Sequence, residues 1–140
     1  QQLKPMEFYI STYGGNADDM FAIYDMMNVA KQSCEVHTFG IGKVMSAGVL
    51  LLANGTPGKR KVGKHCRVMI HSCNAGQVGD IHNLKNEMQA IQHQQEQYIN
   101  ALVEVSSLTK RQLNRLLDRK VNVYLTAQEA IEYGIADEII

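Results

Sequence analysis

Short apolar runs that stop at glycines alternate along this chain with segments of helical period, and that alternation restricts the fold more than any other feature. Met6 to Ser11 reads as a buried strand that ends at Gly14-Gly15. A helix follows: Asn16 can cap it, Asp18 and Asp19 place negative charge in its first turn, and Met20, Ile23, Tyr24, Met27 and Ala30 recur at helical spacing. Glu35 to Ile41 reads as the next strand, bounded by Gly40 and Gly42. Residues 46–53 read as a buried helix, apolar nearly all round, that ends before Gly55. Thr56 to Arg60 reads as a turn, and Lys59-Arg60-Lys61 as solvated. Arg67 to Ile70 reads as another buried strand, with His71 at its carboxyl end. The pattern predicts an α/β fold.

The second half carries a different signal. Ile81, Leu84, Met88, Ile91, Gln95, Tyr98, Leu102 and Val105 follow one another at intervals of 3, 4, 3, 4, 3, 4 and 3 residues, a narrow seam on one long helix. Such a helix is about twice the usual length. It is expected to protrude or to pack on a neighbouring subunit; the alternative is a core helix lying across its own sheet. Thr109 to Asp118 reads as a shorter helix with Leu113, Leu116 and Leu117 inward, and Val121 to Leu125 as a strand. Thr126-Ala127-Gln128-Glu129 is a capping box for a helix that runs to Tyr133 and closes at Gly134, before a last strand over Ile135 to Ile140. No linker or repeat divides residues 1–140, which read as one domain.

Composition excludes several classes. Fourteen basic residues balance fourteen acidic ones, which argues against a nucleic-acid binder. With 45% hydrophobic residues the chain is not disordered. The longest apolar run, Val49 to Ala53, is far short of the ~20 residues that span a bilayer, so no membrane partner is expected. The start, Gln1-Gln2-Leu3-Lys4, resembles no signal peptide. Cys34, Cys66 and Cys73 are odd in number and show no CxxC spacing, as expected of reduced thiols in a cytoplasmic protein. His37, His65, His82 and His93 share no ligand spacing, so neither a metal nor another cofactor is expected. The seven methionines are expected to fill the core.

Acyl transfer needs a nucleophile, a base, a group that orients the base, and donors for the oxyanion. Ser46, between Gly42 and Gly48 at a turn into a buried helix, is a candidate nucleophile; free amides at a helix start favour an alkoxide, and the Ala47 amide would face the reacting carbonyl. The plainer alternative is an N-cap serine. His71 stands at a strand end that opens on the usual crevice of α/β folds, as a base or as a structural histidine. Gly14-Gly15 could bring backbone N–H groups close to a ligand, or simply turn the chain.

Taken together, Phe8-Tyr9-Ile10-Ser11-Thr12-Tyr13-Gly14-Gly15, Gly42-Lys43-Val44-Met45-Ser46-Ala47-Gly48, Arg67-Val68-Met69-Ile70-His71 and Tyr124 to Asp137 are collinear with the motifs of the ClpP family, the proteolytic subunit of the Clp protease, which the chain resembles over nearly all its length. The resemblance implies a ClpP/crotonase-like fold of repeated strand-strand-helix units, with the long helix as a protruding handle, about residues 74–106. It implies a serine endopeptidase that cleaves peptides or unfolded proteins inside a particle of self-associated rings, a heptamer or double-ring tetradecamer. By the same resemblance Ser46 is the nucleophile, His71 the general base, and Gly15 and Ala47 the oxyanion donors. A substrate would lie as an added strand beside Asn74 to Gly79.

Three departures accompany the resemblance. Asn122 stands where the family has its acid. An asparagine can accept a hydrogen bond from Nδ1–H but adds no charge, and in a serine protease the Asp-to-Asn change costs about 10⁴ in rate. Activity is therefore expected to be low, conditional on assembly, or rescued by a nearby carboxylate, Asp118 being nearest in sequence. Met45 and Cys73 alter the pocket walls. The match begins part-way into the family fold, so the front segment, with pore loops and a docking surface for an ATP-driven Clp unfoldase, is expected to be absent here. The alternatives are a catalytically weak or inactive structural subunit of such a particle, and, further off, an acyl-CoA enzyme of the related crotonase-like fold.

Overall fold

The computed structural model describes residues 3–74 and 76–140. Its sheet is built around one strand, β2 (Val36–Met45). β1 (Met6–Thr12) runs parallel along one edge, from Met6 beside Val36 to Thr12 beside Val44. The other edge is shared in parallel by β3 (Arg60–Val62), which pairs with Thr38–Gly40, and β4 (Arg67–Ile70), which pairs with Lys43–Met45. β5 (Val123–Leu125) adds antiparallel to β4, and β6 (Glu138–Ile139) adds parallel to β3. Five helices complete an α/β fold: α1 (Ala17–Lys31), α2 (Ala47–Ala53), α3 (Ile81–Val105), α4 (Lys110–Leu117) and α5 (Ala127–Glu132).

β2 does not stop at Ile41 as its glycines suggested. Gly42 takes φ +71, and β1 shifts register opposite it between Ile10 and Thr12, so the strand bends and continues to Met45. That extension carries the chain to Ser46. Every residue of α2 is buried, against β2, α1 and α3, with Val49, Leu50 and Leu52 fully enclosed. The caps anticipated at Asn16 and Thr126 are made, the latter as a capping box, and Thr109 forms a second capping box at the start of α4.

Several expectations are corrected. Lys59-Arg60-Lys61 is not a solvated turn: Arg60 begins β3 and is only 8% exposed. Its guanidinium forms a two-pronged pair with Asp137, Nε to Oδ2 at 2.8 Å and Nη2 to Oδ1 at 2.7 Å. Its Nη1 donates to the carbonyls of Ala53 and Val105, which end α2 and α3. A strand arginine thus ties two helix ends to the sheet, where cations are favoured by the helix carbonyls. Ile23 faces outward, and Met6, Met26 and Met88 are exposed rather than in the core. β5 starts at Val123, since Val121 is exposed, and the last strand shrinks to Glu138–Ile139. Along α3 only Tyr98, Ile99, Ala101 and Leu102 are buried in this chain, and residues 81–90 are all exposed.

The Arg60–Asp137 pair gives a stability signature. Arg60's hydrogen bonds hold the Asp137 carboxyl below its ordinary value, against a smaller opposing effect of burial. The pair's contribution is therefore complete above the ordinary carboxylate range, near pH 4, and is lost as pH falls through the depressed folded value. Asp137→Asn should lower the thermal midpoint by several degrees at pH 7. Melting curves from pH 7 to pH 2 should show the gap to the unaltered protein closing below about pH 4.

Candidate active site

The parallel strands β2 and β4 end side by side, and the site forms beyond their carboxyl ends, where ligands of open α/β sheets bind. Ser46 is the one residue between β2 and α2. Its backbone sits at φ +55 and ψ −114, a conformation that costs a non-glycine residue about 1–3 kcal/mol. Its side chain makes no capping hydrogen bond to α2, so the N-cap reading fails and Oγ stays free for chemistry. Sharp strand-to-helix turns of this sort expose nucleophiles in other hydrolase folds.

The strained turn is held on three sides. The Ser46 N–H donates to the Met69 carbonyl at 2.8 Å, which anchors it to β4. The Ser46 carbonyl accepts from the Val49 N–H at 3.1 Å and from the Tyr98 hydroxyl at 3.0 Å. Gly14, at φ +104, lies against the serine itself: a Cβ there would sit 2.7 Å from Ser46 Cβ and 3.0 Å from the Met45 carbonyl oxygen. The first glycine of the pair is thus needed for contact with Ser46 as well as for the turn.

Ser46, Ala47, Gly15 and His71 line one cavity of about 470 Å³, together with Tyr98 and Cys73. His71 is half-buried two residues past the anchor Met69, and its Nδ1 is hydrogen-bonded to the carbonyl of Ser72. A carbonyl only accepts, so Nδ1 is the donor in this contact, and the other ring nitrogen, Nε2, is the one left for the serine. Asn122 does not line the cavity. It is exposed, one step beyond the Ile70–Val123 pair that joins β4 to β5, and no hydrogen bond joins it to His71. Asp118 caps the end of α4 and does not itself line the cavity, although its neighbour Leu117 does. Burial pushes the Cys73 thiol up, partly offset by a hydrogen bond from its own backbone, which disfavours a thiolate in the site. Asn74 and Gly76 line the cavity mouth, while Ala75 of the 74–79 stretch lies outside the described residues.

The residues missed by sequence reasoning lie on α3. Gln95 Oε1 accepts from the Cys73 amide at 2.9 Å, and Gln94 Nε2 donates to Asp18 Oδ1 at 2.9 Å. A glutamine in an apolar seam was the available signal, because a seam position that faces polar partners is best filled by a polar side chain. Among the described residues no three His, Cys, Asp or Glu side chains gather as a metal-holding group, all three cysteines are free, and no helix is long and apolar enough to cross a membrane.

The architecture is that of an α/β protein with a cleft at its strand ends and a strained serine beside a histidine. A family model described as Clp protease matches residues 1–140. The chain is 32% identical over 137 residues to the ATP-dependent Clp protease proteolytic subunit 1 of Corynebacterium jeikeium, which covers 98% of this chain and 71% of that protein. It is 33% identical over 141 residues to proteolytic subunit 1 of Thermobifida fusca, covering 98% of this chain and 60% of the relative. To proteolytic subunit 1 of Leifsonia xyli it is 35% identical over 131 residues, covering 94% of this chain and 64% of the relative. The chain belongs to the Clp protease family.

The packing of Gly14 is directly testable. Gly14→Ala should lower the unfolding free energy by about 1–3 kcal/mol, through the strained φ and the contact with Ser46. Urea unfolding measures it, and an unchanged midpoint would contradict the contact.

Proposed function

We propose that the chain is a serine endopeptidase subunit that cleaves peptides or unfolded proteins, with Ser46 as nucleophile and His71 as general base. The observation that carries this reading is the strained Ser46 with its uncapped side chain, in one cavity with His71. Family membership supports it. Ser46 Oγ attacks the peptide carbonyl carbon while its proton passes to His71 Nε2. The carbonyl oxygen becomes an oxyanion held by the N–H groups of Gly15 and Ala47. His71 then gives the proton to the departing amine, and water resolves the acyl-enzyme by the same route in reverse. Asn122, next to His71 across the β4–β5 pairing, is assigned the orienting role, its amide oxygen accepting from Nδ1–H when that proton leaves the Ser72 carbonyl.

The same reading places the chain in a ring-shaped particle of its own copies, a heptamer or a double-ring tetradecamer, in the cytoplasm. In it the crotonase-like repeats form the body and α3 is the handle between rings. The exposed first ten residues of α3, which include seam positions Ile81, Leu84 and Met88, support this use of the helix. A second reading, a weak or inactive structural subunit, is favoured by one observation: His71 is engaged by Ser72 and not by Asn122.

Labelling the assembled protein with a fluorophosphonate and locating the adduct by mass spectrometry separates the two. The peptidase reading expects an adduct on Ser46 that disappears in Ser46→Ala, and cleavage of a fluorogenic peptide that rises at least tenfold in Asn122→Asp, within the roughly 10⁴ that an orienting acid contributes. No adduct on Ser46, and background cleavage in both proteins, would establish the structural reading instead.

A further inference from the structure

We propose that Tyr98 is a positioning residue for this reaction: its hydroxyl fixes the peptide plane between Ser46 and Ala47, and so aims the Ala47 N–H at the oxyanion. The inference rests on the reading of Ser46 as nucleophile and Ala47 as oxyanion donor. In a planar trans peptide the carbonyl and the following N–H point in opposite directions. The Tyr98 hydroxyl donates to the Ser46 carbonyl at 3.0 Å. Whatever holds that carbonyl holds the Ala47 N–H as well. The plane on the other side of Ser46 is already tied to β4 by the bond to Met69. The rotation left to the strained residue is about ψ; the Val49 N–H restrains it from within α2 at 3.1 Å, and Tyr98 is the side chain that restrains it from α3.

Tyr98 suits the task. It is buried, so its hydroxyl needs a partner, and the partner it has is the Ser46 carbonyl. Burial pushes the phenol well up, so it remains a donor at any working pH. Its neighbours on α3 act on the other walls of the site. Gln95 accepts from the amide of Cys73, two residues past His71, and Gln94 donates to Asp18, three residues past Gly15. Three residues within one stretch of α3 thereby reach the segments that carry Ser46, His71 and Gly15. The helix's first ten residues are exposed. Displacement of α3 would reach the oxyanion donor through a single hydroxyl, which makes Tyr98 the link between the position of α3 and the chemistry.

The test is Tyr98→Phe, which keeps the ring and removes the donor. An interaction with a donor that acts only in the transition state appears in kcat and leaves KM alone. The variant, in its assembled form, should cleave a fluorogenic peptide with kcat down about tenfold, the worth of one hydrogen bond that orients a catalytic group. KM should not change, and Ser46 should react with a fluorophosphonate slower by a similar factor. A merely structural role would shift the melting point and leave kcat per folded molecule as it was; that result, or a change confined to KM, overturns the proposal. If the unaltered protein shows no adduct on Ser46, the peptidase reading fails by itself, and the crystal structure of Tyr98→Phe decides the positioning claim. A Ser46 carbonyl turned from its present direction supports it, and a ψ kept near −114 overturns it.

Discussion

The peptide planes on either side of Ser46 are clamped by different parts of the molecule, and the fold can be understood as the means of keeping them so. A serine at φ +55 relaxes unless its surroundings over-determine it. Here β4 takes its N–H, α2 and α3 share its carbonyl, and β1 delivers a glycine against its side chain. No single one of these contacts is strong, since a net hydrogen bond contributes about 1 kcal/mol. They hold because each arises from an element whose place is fixed by burial elsewhere.

Arg60 is the chief remote support. Its guanidinium meets the last carbonyls of α2 and α3 and pairs with Asp137. The helix that begins at Ala47 and the helix that carries Tyr98 are therefore fastened at their far ends by one side chain. Nothing in Lys59-Arg60-Lys61 as a string of charges distinguishes the middle residue. The reason appears only in the strand register, where Arg60 is buried beside Thr38 and Lys61 points out over the Phe39 ring.

What could be read from sequence followed from short-range physics. The caps at Asn16 and Thr126 and the apolar helix after Ser46 depend on neighbours within a few positions, and they form as anticipated. So does β4 with His71 at its end. The residues misjudged depend on partners distant in the chain. β2 passes through two glycines because β1 and β4 pair with its second half. Gly14 serves Ser46 across more than thirty residues, and Tyr98, counted only as an apolar seam member, is needed for its hydroxyl. Asn122 lies one step beyond the Ile70–Val123 pair, and His71 Nδ1 is bonded instead to the carbonyl of Ser72, adjacent in sequence.

The central claim is that a strained serine and two backbone amides form one site for a tetrahedral intermediate. A peptide boronic acid mimics that intermediate, and a crystal structure of its complex with the assembled protein tests the claim most directly. The expected complex has boron bonded to Ser46 Oγ, with one boronate oxygen at about 2.7–3.1 Å from the N–H groups of both Gly15 and Ala47. A boronate that bonds elsewhere, or whose oxygens turn away from those two amides, would contradict it.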